Sequence, residues 1–89
     1  EAEANNMISF PAQVISCTNR DGTIIPISFK FEDSTGVIRS YEVICIKNKQ
    51  ECPRFTIKYD VLVEEYGYKR TYCLFYRIGD HEWSLLFDR

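Results

Sequence analysis

Apolar and polar positions alternate along most of this chain, most cleanly towards its C-terminus. Phe55, Ile57, Tyr59, Val61 and Val63 interleave with Arg54, Thr56, Lys58, Asp60, Leu62 and Glu64. A period of two marks a strand with one face on a core. Glu65-Tyr66-Gly67-Tyr68 reads as a turn, after which Tyr72, Leu74, Tyr76 and Ile78 resume the alternation. Gly79-Asp80-His81-Glu82 turns again, and Trp83, Leu85 and Phe87 form a last strand. Three such strands are the least that can build a stable hydrophobic face. Trp83 is expected in that core, beside Phe29 or Tyr59.

Earlier in the chain the pattern is looser. Residues 12–18, with Val14 and Ile15, read as a first strand, and Asn19-Arg20-Asp21-Gly22 as a turn, because Asp-Gly supplies positive φ angles. In the next strand Ile25, Ile27, Phe29 and Phe31 take one face, and Pro26, Ser28, Lys30 and Glu32 the other. Pro26 has no N–H for a ladder, which predicts a sheet edge or a bulge there. After the Asp33-Ser34-Thr35-Gly36 turn, residues 37–46 are apolar on both parities. That predicts a central strand, or one that bends so its halves face different sides; a short helix over 41–47 is disfavoured by its β-branched residues. Residues 47–53 are polar, end in Pro53, and read as the longest loop. The fold class expected is all-β: a small partly open barrel, SH3-like, or a compact sandwich, of about six antiparallel strands.

Length and composition fit one domain over residues 10–89, behind a flexible lead-in at 1–9. The 89 residues are 45% hydrophobic, with six Tyr, six Phe and one Trp to fill a small core. Residues 43–46 make the longest aliphatic run, too short for a membrane span. The net charge of −2 excludes a strongly basic nucleic-acid coat. Glu1-Ala2-Glu3-Ala4 resembles the remnant of a yeast secretion leader, an expression scar, with a native acidic tail as the other reading.

Candidate chemistry is sparse. Cys17, Cys45, Cys52 and Cys73 lack the close pairing of zinc sites. They read as free thiols in a cytoplasmic protein, or as two disulfides in a secreted one, with three pairings open. His81 is the only histidine and sits in a turn. Glu64 and Glu65 point to opposite faces of a strand and so form no dyad. No Gly-rich phosphate loop exists. The expectation is therefore no enzyme, no catalytic, cofactor or metal residues, and no membrane partner.

A binding surface is the better reading. Tyr66, Tyr68 and Tyr72 interleave with Lys69 and Arg70, and aromatics beside cations can hold single-stranded nucleic acid. The candidate surface comprises Tyr66, Tyr68, Lys69 and Arg70, with Lys47 and Lys49 from the polar loop. A protein partner, or a homodimer through an edge strand, needs no net charge and is preferred over nucleic acid. A secreted disulfide-stabilised effector is the third reading.

Phe10-Pro11-Ala12-Gln13-Val14-Ile15, Asp21-Gly22-Thr23, Pro26-Ile27-Ser28-Phe29-Lys30-Phe31-Glu32-Asp33 and Trp83-Ser84-Leu85-Leu86-Phe87 together resemble a group of small bacterial β-rich proteins of unknown function. These are frequent in anaerobic Gram-positive genomes. Some similar domains are encoded beside translesion polymerase genes, which implies an accessory part in DNA repair or mobile elements. The resemblance spans roughly residues 10–87, rests on turns and core aromatics, and implies a cytoplasmic protein with native thiols. Residues 47–53 depart from it.

Overall fold

The computed structural model describes residues 7–88. They form seven strands: β1 (Met7–Thr18), β2 (Ile24–Glu32), β3 (Ile38–Glu42), β4 (Cys45–Cys52), β5 (Thr56–Glu65), β6 (Tyr68–Arg77) and β7 (Glu82–Asp88). All pairs are antiparallel in one sheet of order β3-β2-β1-β7-β6-β5-β4. The all-β, partly open barrel is thus observed, with β5, β6 and β7 as the expected meander.

The sheet curls because two of its strands change partner part-way. Residues 7–12 of β1 pair with β7, and residues 12–18 pair with β2. Pro11 lies at that switch, opposite Ser84 of β7. Antiparallel strands alternate between residues bonded to one neighbour and residues facing the other. The Asp33 N–H to Val37 C=O bond fixes the phase of β2 against β3 and so of β1 against β2. By that phase the Pro11 nitrogen faces away from β7, just past the last β1–β2 pair at Ala12↔Phe31, so its missing N–H costs the ladder nothing.

The second switch lies between β3 and β4. The Val43 N–H donates to Ile27 C=O of β2 (2.9 Å), and the next residue, Ile44, donates to Leu62 C=O of β5 (2.7 Å). The two edges of the sheet are therefore consecutive in the chain and meet at this bend. β3 and β4 are the halves of one bent strand, which gives the expected count of about six. The bend turns Ile46 inward on the parity opposite to Tyr41 and Val43, while Val37, Ile38 and Ile44 face solvent, so the stretch is not a central strand.

Four sequence expectations change. Residues 47–52 are strand and not loop: β4 pairs with β5 from Cys45↔Leu62 to Cys52↔Thr56. Phe55 belongs to the turn that follows, not to the β5 face, and is 79% exposed. The face of β2 is not uniform, because its register with β1 jumps from Ile15↔Ser28 to Ser16↔Pro26. Ile27 is the extra residue, so it turns out to solvent while Pro26 turns in and is buried. Lastly, residues 7–9 pair with β7, so the lead-in expected at 1–9 ends earlier; residues 1–6 lie outside the described residues.

The core joins Phe29 and Phe31 of β2 to Ile57, Tyr59, Val61 and Val63 of β5, Tyr72, Leu74 and Tyr76 of β6, and Leu85 of β7. Trp83 packs at its margin, with its ring 5.6 Å from Tyr59 and 4.5 Å from Tyr76. The Tyr59 hydroxyl donates to Ile24 C=O at 2.6 Å, tying β5 to the start of β2 across the barrel. Urea unfolding should show Leu74→Ala losing about 2–5 kcal/mol of stability. Tyr59→Phe, which strands the Ile24 carbonyl, should lose about 1–2 kcal/mol.

Candidate functional site

A barrel that closes only at a bend leaves strand edges elsewhere, and unpaired edges invite other strands. The start of β2 is covered from within: Pro26 has no N–H to offer, and Ile24 C=O accepts from Tyr59. β4 carries Lys47 and Lys49 and a register jump between Ile46 and Asn48, both of which discourage pairing. β3 is short, and its side chains are tied across the seam to β5.

That tie is a charged cluster. Glu65 at the end of β5 accepts from Arg39 Nη1 (3.1 Å), the Tyr41 hydroxyl, Arg70 Nη1 (2.8 Å) and the Tyr72 hydroxyl (3.2 Å). Its side chain is only 9% exposed. Arg39 Nε also donates to Asp33 Oδ2 at 2.8 Å. Asp33 Oδ1 takes the Thr35 hydroxyl and the Thr35 and Val37 N–H groups, which shapes the β2–β3 turn around Gly36 at φ 86°. The Tyr41 hydrogen bond and then Arg70 hold the Glu65 carboxyl below its usual range, against the opposing effect of burial. The Thr35 hydroxyl and Arg39 pull Asp33 far below its own.

The second half of β1 has no such cover. Residues 13–18 read Gln-Val-Ile-Ser-Cys-Thr, without a charge or a proline. Strand alternation turns the main-chain groups of Gln13, Ile15 and Cys17 towards β2 and those of Val14, Ser16 and Thr18 away from it. β7 stops pairing with β1 at Ala12↔Trp83, so no strand among the described residues takes them up. Ile15 is 68% exposed on this strand. Where β1 diverges from β7, a cleft of about 700 Å³ opens between residues 11–14 and residues 81–84, with Trp83 in its wall. The edge and the cleft are continuous.

The surface expected from the sequence divides in two. Tyr66 and Tyr68 flank the tip of the β5–β6 hairpin, 86% and 78% exposed, with Tyr66 and Gly67 both at positive φ as a tight hairpin turn requires. Lys69 is there too, but opposite Glu64, and Arg70 is bonded to Glu65 with its guanidinium 4.9 Å over the Tyr72 ring. Lys47 and Lys49 lie on β4. Lys49 pairs with Tyr59, roughly 20 Å along β5 from the hairpin turn. The structure thus groups Tyr66, Tyr68, Lys69 and Arg70 and separates them from the two lysines. The edge at 13–18 had a sequence signal of its own: its predicted strand carries no charged residue.

The remaining candidates for chemistry stay apart. All four cysteines are free thiols. Burial pushes the Cys73 thiol up to about 11, so it stays protonated at neutral pH. His81 Nδ1 lies 3.3 Å from the Tyr76 hydroxyl in the β6–β7 turn. No group of three or more His, Cys, Asp or Glu able to hold a metal ion occurs among the described residues. Among them, too, no helix is long and apolar enough to cross a membrane. Comparison with protein-family models, curated protein sequences and solved structures finds no match.

The Glu65 cluster has a measurable pH signature. A carboxylate whose pKa is lowered on folding contributes stability above its unfolded value, 4.5 for Glu65, and that contribution is lost as pH falls through the folded value. Glu65→Gln should therefore weaken the fold at neutral pH, by about 1–2 kcal/mol. It should also flatten the decline in urea midpoint below about pH 4.5.

Proposed function

We propose that this domain is a non-enzymatic binding module that takes an extended segment of a protein partner onto the free edge of β1 at residues 13–18. The observation that carries this reading is the contrast among edges. Those of β2, β3 and β4 are blocked by a proline, a tyrosine hydroxyl, a charged tie or lysines with a bulge, while the β1 edge is neutral and unpaired. Strand addition draws affinity from main-chain hydrogen bonds and specificity from pockets for alternate side chains. The cleft beside Trp83 provides such a pocket at one end of the edge. This use of an edge differs from a loop-based site, which an SH3-like reading of the barrel would favour.

Single-stranded nucleic acid on the Tyr66–Tyr68 hairpin is the second reading, supported by two highly exposed aromatic rings. Glu64 and Glu65 sit beside Lys69 and Arg70 and offset the charge a phosphate backbone would need. Protein binding is therefore the stronger of the two. Four free thiols favour a cytoplasmic protein over a secreted, disulfide-stabilised effector. That compartment also accords with the resemblance to small bacterial β-rich proteins.

The test is to pan a random peptide display library on the domain and on its Ser16→Pro variant. The Ser16 N–H takes no part in the β2 ladder, so the variant should keep its fold by circular dichroism. Peptides enriched on the parent should lose binding to Ser16→Pro by about tenfold or more, since the new ring blocks the edge. Equal binding to both, or enrichment on neither, would defeat this reading.

A further inference from the structure

We infer that the strand received by this edge is the same strand of a second copy of this chain, paired antiparallel about a two-fold axis at Ser16. This inference rests on the strand-addition reading above and names its partner. A two-fold axis through an antiparallel ladder makes one residue face its own counterpart. The free main-chain groups belong to Val14, Ser16 and Thr18, and only a register centred on Ser16 uses all of them. Val14 then pairs with Thr18 of the second copy, Ser16 with Ser16, and Thr18 with Val14. Each such pair exchanges two bonds, about six in all. Registers centred on Ile15 or Cys17 satisfy fewer.

The side chains agree with this register. It places the exposed Ile15 opposite Cys17 of the second copy, an apolar contact on both sides of the axis. No charge faces a like charge. The same operation on β4 about Lys49 would set lysine against lysine at the axis.

The cleft beside Trp83 gains an occupant as well. Beyond Thr18 the second copy reaches its Asn19-Arg20-Asp21-Gly22 turn at Gln13, at the mouth of that cleft, just short of the Ala12↔Trp83 pair where β7 takes over the edge. The turn is built on the Asn19 N–H to Thr23 C=O bond (2.8 Å) and on Asp21, whose Oδ1 accepts the Thr23 N–H (3.0 Å). Arg20, exposed on this turn, then approaches the exposed Glu82 of the opposite wall. The two-fold repeats both contacts. The joint is small, so association is reversible and concentration-dependent.

Sedimentation equilibrium tests the inference on the full chain and on two variants at the axis. The parent should dimerise with rising concentration. Ser16→Lys and Ser16→Glu, each placing like charges face to face, should weaken dimerisation by about tenfold or more. An equimolar mixture of the two variants should recover it, because lysine then faces glutamate. Only a residue that meets its own counterpart gives that rescue. A parent that remains monomeric throughout, a dimer indifferent to both charges, or a mixture that fails to recover would overturn the inference. A monomeric parent that still binds display-selected peptides in a Ser16-sensitive way would overturn the self-pairing and leave strand addition standing.

Discussion

Two strands of this chain are longer than any single neighbour can pair, and the place where each changes partner determines the rest of the fold. Residues 7–12 of β1 belong to β7 and residues 12–18 to β2, while the bent strand passes from β2 to β5 between Val43 and Ile44. Main-chain groups of a strand must find partners or remain in water. A strand that leaves one neighbour for another therefore frees an edge on each side of the switch. The same two switches that curl the sheet around Tyr59, Leu74 and Leu85 thus create its exposed edges.

The chain treats those edges unequally. Tyr59 lies fully buried in the core yet spends its hydroxyl on the main chain of β2. Glu65 gathers Arg39, Tyr41, Arg70 and Tyr72 at the mouth of the seam between β3 and β5, so side chains bridge what backbone does not. β4 keeps its free side polar. Each device either satisfies an edge or makes it a poor template. Against that background an edge with neither a charge nor a proline is the exception, and exceptions to local consistency tend to mark functional sites.

Much of the fold was legible in the sequence. The alternation in β5, β6 and β7 placed Ile57, Tyr59, Val61, Val63, Tyr72, Leu74, Tyr76 and Leu85 correctly inside, and Trp83 does lie against Tyr59. The Asp-Gly and Ser-Thr-Gly turns formed where positive φ was needed, at Gly22 and Gly36. What failed did so for physical reasons. Residues 47–52 look like a loop because an edge strand needs no apolar face; polarity there reflects protection. Ile27 and Pro26 exchange sides because a bulge shifts parity, and a period count cannot see a bulge. Phe55 continues the β5 alternation by residue type, but with Arg54 it adopts positive φ in the hairpin turn and leaves the core. The candidate hairpin surface was legible as exposed aromatics, whereas the neutralisation of Lys69 and Arg70 needed the register of β5 on β6. The free edge of β1 required knowing which strand lies beside it, information that is non-local.

The central claim is that the second half of β1 presents an unpaired row of main-chain groups, and amide hydrogen exchange on dilute protein measures it directly. Gln13, Ile15 and Cys17 should be protected by β2, while Val14 and Ser16 exchange at rates close to those of an open chain. Uniform protection from Gln13 to Cys17 in the dilute monomer would mean that the edge is already satisfied within one chain and would contradict the account.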